Sequence, residues 1–163
     1  MKVDGVILDL EDSVAPDLKK SARHQTIDGL LQLDWKANSV SIRINATNTE
    51  WCHQDIIELV SSCSEKIATL IVPMVNTPND LIFVETLIKQ LAIKNSSAAE
   101  IGIEGLIETV EGLSNVDKIA QSSEKLEALV LGMGDYAASQ RMRINTIGDV
   151  SSEAGDILSL IHI

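Results

Sequence analysis

Cations, cysteines and long apolar runs are all scarce in this sequence, and each scarcity excludes a class of protein. Lys and Arg number 13 against 24 Asp and Glu, for a formal net charge of −11. A nucleic-acid partner is therefore not expected, because affinity for a phosphate backbone depends on clustered cations. The only cysteines are Cys52 and Cys63, with no histidine cluster beside them, which argues against a disulfide framework or a structural zinc site. These features favour a reducing, cytoplasmic location.

The apolar content is spread along the chain rather than concentrated. No run approaches the roughly 20 residues of a membrane span, and the first ten residues carry acids inside their apolar stretch. Neither a membrane partner nor a signal peptide is predicted. With 163 residues, 45% of them hydrophobic, the chain is large enough for one core. We predict a single domain over residues 1–163.

Five short aliphatic runs alternate with segments of helical spacing. The runs lie at 3–10, 39–45, 67–73, 101–107 and 126–132. Strands separated by helices need crossover connections, which predicts a parallel sheet of the α/β class. Both a complete five-stranded doubly wound sheet and part of a (β/α)₈ TIM barrel fit this order. Polar residues near the carboxyl ends of the strands favour the barrel, because a barrel turns them toward one mouth.

Carboxylates stand at the ends of three apolar runs. Glu108 lies in LIETVEGL, Asp135 in VLGMGDYA, and Asp9, Glu11 and Asp12 in VILDLEDSV. Glu108 and Asp135 could supply two oxygen ligands to Mg²⁺, which usually takes one or two carboxylates and completes its shell with water and substrate oxygens. The alternative is that each acid caps the helix that follows it, since acids are common at helix N-termini.

Arg43 is the one cation within an apolar strand run, SIRIN. Its planar fork suits a substrate carboxylate or a developing enolate oxygen. An internal ion pair with Asp9, Glu11 or Asp12 is the other interpretation, and the two roles are compatible because a neighbouring acid would hold the guanidinium in place.

Two further groups give weaker signals. Backbone N–H groups of Gly132, Met133 and Gly134 could approach a substrate anion at a helix start, although two glycines are also common in an ordinary turn. The second group is the basic set Lys19, Lys20 and Arg23. Phosphate binding is one interpretation of this group, but because the side chains follow Pro16 in a predicted helix, we expect them on a solvated face.

Four stretches together resemble the citrate lyase beta subunit and malyl-CoA lyase superfamily, which is HpcH/HpaI aldolase-like. They are VILDLEDSVAPDLKKSAR, SIRINATNTEW, LIETVEGLSNVDKIAQSS and LEALVLGMGDYAAS. The resemblance runs from about Val3 to Asp149 and is strongest to the malyl-CoA lyase branch. It implies a Mg²⁺-dependent barrel enzyme that cleaves or forms a carbon–carbon bond between an acyl-CoA and a 2-oxo acid such as glyoxylate.

The resemblance also assigns roles to residues. Glu108 and Asp135 match the metal-binding acids, Arg43 matches the substrate-binding arginine, and Glu11 and Asp12 match the acidic pair that lines the site. Retro-aldol cleavage of a 3-hydroxyacyl thioester needs a Lewis acid and stabilisation of the departing enolate. The implied catalytic set is therefore Arg43, Glu11 and Asp12.

This sequence departs from the family pattern in three places. Relatives have an additional strand before VILDLEDSV and further units after the last strand here, so we expect a partial barrel of about five βα units. Such a barrel has open edges, which predicts a homo-oligomer. Met74 follows Pro73 where relatives often have Lys, and the final LSLIHI does not resemble their continuation. A non-catalytic binding or oligomerising domain, and a citrate lyase beta subunit that acts on a carrier-protein thioester, stay open as alternatives.

Overall fold

The computed structural model describes residues 3–94 and 100–141. Its strands are β1 (Gly5–Asp9), β2 (Ser39–Arg43), β3 (Thr69–Val72), β4 (Gly102–Ile107) and β5 (Leu126–Leu131), and its helices are α1 (Lys19–Gln32), α2 (Cys52–Cys63), α3 (Pro78–Ala92), α4 (Val110–Ser114), α5 (Val116–Ala120) and α6 (Met133–Ser139). Each strand falls inside one of the five predicted runs. The LSLIHI segment at 158–163 and the end of the family-like stretch lie outside the described residues.

The strands form one parallel sheet in the order β1-β2-β3-β4-β5. Each strand thus lies beside the next one in the chain, as in a (β/α)₈ barrel. A doubly wound sheet would instead reverse its strand order at a switch point. The architecture is therefore α/β with five strands of a partial TIM barrel, as predicted.

One face of the sheet carries the main hydrophobic core. Alternate strand side chains, such as Ile42, Leu70 and Ile103, are fully buried in one cluster with side chains of the flanking helices. On the opposite, inner face Ile7 is 64% exposed and Val130 is 43% exposed. This period-two pattern separates a packed helix-facing layer from an inner face that points into the barrel.

Local signals in the sequence explain why α3 begins where it does. Thr77 is the N-cap and forms a capping box with Asp80, while Pro78 occupies the first turn. A capping box satisfies backbone donors at the helix start, and proline is tolerated there because its missing N–H would have no partner. Among the described residues, no helix is long and apolar enough to cross a membrane.

The register of the parallel strands brings the polar residues to one edge. Asp9 at the end of β1 lies opposite Arg43 at the end of β2. Glu108 and Gly132 directly follow the paired residues Ile107 and Leu131 at the ends of β4 and β5. Because all strands run in the same direction, these ends form one rim of the sheet.

Candidate active site

Arg43 is held at the rim by a two-pronged ion pair with Asp9. Its Nε donates to Asp9 Oδ1 over 2.7 Å and its Nη2 to Asp9 Oδ2 over 2.5 Å. Burial by itself would raise the pKa of Asp9, but the hydrogen bonds from Arg43, Ser13 and the Glu11 backbone hold that pKa well below its usual range. The hydrogen bond to Asp9 in turn raises the pKa of Arg43. Both members of the pair are therefore ionised, and the Nε and Nη2 groups of the Arg43 guanidinium are already occupied.

Glu11 and Asp12 approach the other end of the same guanidinium. Arg43 Nη1 lies 3.1 Å from Glu11 Oε2 and 3.6 Å from Asp12 Oδ2. Burial, followed by the negative charge of Asp12, raises the pKa of Glu11 to about 7, against an opposing effect of Arg43. The expectation that Glu11 or Asp12 lies close enough to hold Arg43 is confirmed. The ion-pair interpretation of Arg43 is thus correct, and it leaves a substrate role possible.

Glu108 lies in a narrow space between two backbone segments. It is only 5% exposed, and its Oε2 accepts a 3.0 Å hydrogen bond from the Met74 backbone N–H. Met74 has φ 54°, a left-handed conformation that is costly for a residue with a Cβ and that often occurs at functional sites. On the other side, a Cβ on Gly132 would overlap the Glu108 side chain. Both neighbours restrict where this carboxylate can go.

The helix caps near Glu108 and Asp135 are provided by other residues. The N-cap of α4 is Thr109, whose side chain accepts from the Gly112 N–H, and the N-cap of α6 is Gly132. The capping interpretation is therefore wrong for Glu108, because its carboxylate turns toward Met74 instead. Asp135 lies in the first turn of α6, so a favourable interaction with the helix dipole is retained there.

The electrostatic environment of Glu108 connects the two parts of the rim. Burial raises its pKa, the Met74 N–H opposes that shift, and the charge of Asp135 raises the pKa further. Smaller contributions come from Arg43, which lowers the pKa, and from Asp12, which raises it. Charges on β2, on α6 and in the segment after β1 thus all act on the Glu108 carboxylate at the same rim.

The two carboxylates of Glu108 and Asp135 suit a hard cation whose remaining coordination positions are filled by water or substrate oxygens. No group of three or more His, Cys, Asp or Glu side chains is placed to hold a metal within residues 3–94 and 100–141. Mg²⁺ does not require such a cage, since it usually binds through one or two carboxylates and retains waters or substrate oxygens. A cation would also neutralise the repulsion that raises the pKa of Glu108.

The residues of the Gly132, Met133, Gly134 turn have different surroundings. Gly132 lies against Glu108, and its own N–H donates to the Ile107 carbonyl over 3.0 Å. That N–H is therefore already used within the sheet. Met133 and Gly134 open the short helix α6, and substrate binding by their N–H groups stays a prediction.

The expectation of a solvated basic face was wrong for two of its three members. Lys19 is 7% exposed and Arg23 is 1% exposed, whereas Lys20 is exposed. Lys19 Nζ donates to the carbonyls of Leu10 and Glu11 over 2.9 and 2.7 Å. The ammonium therefore fixes the backbone of the segment that carries the acids, together with the Val14 N–H, which donates to the Glu11 carbonyl over 3.0 Å.

Arg23 is buried for a different reason. Its Nε donates to Asp55 Oδ1 and its Nη1 to Glu58 Oε1, both over 2.8 Å. Asp55 Oδ2 also accepts from the Asn45 backbone N–H and from Asn45 Nδ2. This network connects α1 and α2 to the segment directly after β2, and so fixes that part of the rim from the helix side of the sheet. No local sequence pattern predicts this network, since its members lie on separate elements.

Comparison with known proteins agrees with the resemblance found in the motifs. A family model described as HpcH/HpaI aldolase/citrate lyase matches residues 1–152. An L-malyl-CoA/beta-methylmalyl-CoA lyase of Rhodobacter capsulatus is 37% identical over 145 residues, which are 89% of this chain and 46% of that protein. The citrate lyase subunit beta of Escherichia coli (strain K12) is 30% identical over 141 residues, 85% of this chain and 45% of that protein. The chain spans just under half the length of these curated relatives.

A solved structure supports the fold independently of close sequence similarity. The magnesium/glyoxylate complex of Haloferax volcanii malate synthase superposes with a TM-score of 0.74, covering 86% of this chain and 45% of that one. Sequence identity is 16%, so this likeness concerns the fold alone.

Proposed function

Because this chain belongs to the HpcH/HpaI aldolase/citrate lyase family, we propose that it is the catalytic domain of a carbon–carbon lyase acting on acyl-CoA thioesters. The reaction is Mg²⁺-dependent cleavage of a 3-hydroxyacyl-CoA of the malyl-CoA type into an acyl-CoA and a 2-oxo acid such as glyoxylate, or its reverse. One observation carries the proposal: the buried carboxylate of Glu108 lies against Gly132, at the start of the helix that carries Asp135, on the same rim that presents the guanidinium of Arg43.

Each residue of the rim contributes to this chemistry in a different way. Glu108 and Asp135 would hold Mg²⁺, which as a Lewis acid polarises the oxygens of the 2-oxo acid. The fixed charge of Arg43 would bind the substrate carboxylate and stabilise negative charge that develops as the carbon–carbon bond breaks. Asp9 keeps the guanidinium in place, and its own low pKa keeps it from competing for a proton.

Calorimetric titration of Mg²⁺ and glyoxylate into the protein tests this proposal. We expect Mg²⁺ to bind and glyoxylate to bind only in its presence, and we expect both heats to be lost in Glu108→Gln. Removing one of two anionic ligands should weaken Mg²⁺ binding by at least about tenfold.

Glu104→Gln is the matched control for that experiment. Glu104 lies within β4, four residues before Glu108 and on the same face by strand alternation, where it accepts a 2.6 Å hydrogen bond from the Thr69 hydroxyl. The control should bind Mg²⁺ like the parent. Equal Mg²⁺ affinity in the parent and in Glu108→Gln would refute the metal assignment.

A citryl thioester is the second candidate substrate, supported by the 30% identity to citrate lyase subunit beta. Cleavage assays on malyl-CoA and on citryl thioesters, carried by CoA or by a carrier protein, distinguish the two. A chain that binds Mg²⁺ but cleaves none of these compounds would instead be a non-catalytic binding domain.

A further inference from the structure

Arg43 is surrounded by more negative charge than it can neutralise. Three carboxylates lie within 4 Å of its guanidinium: Asp9 at 2.5 Å, Glu11 at 3.1 Å and Asp12 at 3.6 Å. Asp9 takes Nε and Nη2 in the two-pronged geometry that a carboxylate prefers. Glu11 and Asp12 share only Nη1. One cation and three ionised acids would leave a formal charge of −2 in this cluster.

A substrate carboxylate can therefore reach Arg43 only from the Nη1 side. That position is occupied by Glu11 Oε2. If the substrate anion entered while all three acids stayed ionised, the cluster would carry a formal charge of −3 in a partly buried space. Like charges this close strongly disfavour each other's ionised form.

We propose that the substrate carboxylate displaces Glu11 from Nη1 of Arg43, and that Glu11 takes up a proton from solvent as it leaves. This inference rests on the proposed function, since it assumes that Arg43 binds the 2-oxo acid. The carboxylate of Glu11 becomes a neutral carboxyl group, the substrate anion replaces it on the guanidinium, and the charge of the cluster stays constant. Substrate binding is thereby linked to proton uptake.

The surroundings of Glu11 allow its side chain to move while its backbone stays in place. A cavity of about 280 Å³ lies beside the cluster and is lined in part by Glu11, Asp12, Lys19 and Trp51. Lys19 Nζ holds the Glu11 carbonyl at 2.7 Å and lies over the Trp51 ring at 5.4 Å from its centroid. The side chain can turn from Arg43 into this cavity without unfolding the segment.

Few charged groups face Glu11, and the two that shift its pKa act in opposite directions: Asp12 raises it and Arg43 lowers it. The charged groups are Arg43 from β2, Asp12 and Asp9 from its own segment, and Lys19 from α1; the cavity residues between β2 and α2, which are Asn45, Ala46, Thr49 and Trp51, carry no charge. Burial and Asp12 already raise the pKa of Glu11 to about 7. Exchanging Arg43 for a substrate anion removes a stabilising cation, so the pKa rises further in the complex.

The direction of the pH effect follows from these shifts. At about pH 5.5 Glu11 is already protonated in the free protein, so glyoxylate binding takes up almost no proton. At about pH 8 the free protein has Glu11 ionised and the complex has it protonated, so uptake approaches about one proton per glyoxylate. Affinity should then fall by up to about tenfold per pH unit above pH 7.

Calorimetry of glyoxylate binding at saturating Mg²⁺, in buffers of different ionisation enthalpy, measures that uptake directly. In Glu11→Gln we expect the Glu11 proton to be missing and the affinity to become nearly independent of pH between about pH 6 and 8. Because Mg²⁺ is saturating, any proton that Glu108 loses to the metal is lost before glyoxylate is added, in both proteins. Unchanged thermal unfolding midpoints establish that the variant is folded.

Asp12→Asn supplies a second, different signature. This substitution removes one cause of the raised pKa of Glu11. Proton uptake on glyoxylate binding should therefore persist, but the pH at which it is half-maximal should be lower than in the parent. Proton uptake in Glu11→Gln equal to that of the parent would overturn the inference and leave the proposed function intact. Absence of glyoxylate binding by the parent at every pH would overturn both.

Discussion

The missing side chain of Gly132 leaves the space that Glu108 occupies. A Cβ at this position would lie 2.3 Å from Glu108 Cγ and 2.5 Å from Oε1, closer than non-bonded atoms approach, so the carboxylate and the glycine must be considered together. Gly132 has φ −87° and ψ 88°, a conformation open to other residues. The requirement for glycine here therefore comes from the neighbouring side chain and not from backbone strain.

Gly132→Ala should displace Glu108 and weaken Mg²⁺ binding while the fold persists. We expect a loss of about tenfold to a hundredfold in Mg²⁺ affinity, as is typical when the support of a ligand is disturbed. The measurement is Mg²⁺ titration with a parallel thermal unfolding curve. Gly29→Ala is the control: a Cβ there meets only Leu33 at 3.9 Å, and α1 should gain about 0.5 to 1 kcal/mol from the better helix former. Equal Mg²⁺ binding by both variants would contradict this account.

At the scale of elements, the buried Arg23–Asp55 pair connects α1 with α2. Both side chains are 1% exposed, and Asp55 also holds Asn45 after β2. A buried ion pair adds little net stability compared with apolar residues, but loss of one partner leaves the other charge uncompensated. The main role of the network is therefore to position α1 and α2 against the segment after β2, rather than to add net stability.

Arg23→Met should consequently lower the free energy of unfolding by about 3 to 5 kcal/mol, because Asp55 would stay buried without its cation. Urea unfolding at neutral pH measures the change. Lys20→Met, an exposed neighbour on the same helix, should change stability by no more than about 0.5 kcal/mol. A loss in Arg23→Met as small as in this control would indicate that Asp55 finds another partner or a proton.

At the scale of the whole molecule, the sheet of described strands has β1 and β5 as its edges. The inner face next to these edges exposes Ile7 and Val130. Backbone groups along an exposed edge and exposed apolar side chains beside it both favour association with another chain. On the helix-facing side, in contrast, the side chains of the central strands are buried in the hydrophobic core.

We therefore expect the chain to self-associate in solution. Size-exclusion chromatography with light scattering should give a mass larger than that of one chain, and the mass should fall on dilution if the contact is weak. Lys substitutions at Ile7 and Val130, which place charge on the inner face, should shift the mass toward that of a monomer. A parent protein that stays monomeric at high concentration would refute this expectation.

The sequence by itself determined the strand and helix order, because period-two and helical spacing are local properties that survive in any α/β fold. It also singled out Glu108, Asp135, Arg43, Glu11 and Asp12 as candidate site residues, since polar residues at the ends of apolar runs are visible without coordinates. Which partners those residues have was decided only by the tertiary structure. The Met74 N–H that donates to Glu108, the choice of Asp9 over Glu11 and Asp12 as the bidentate partner of Arg43, and the burial of Lys19 and Arg23 all depend on segments far apart in the chain. Local patterns do not encode such contacts, because they arise from how parallel strands align and how helices pack across them.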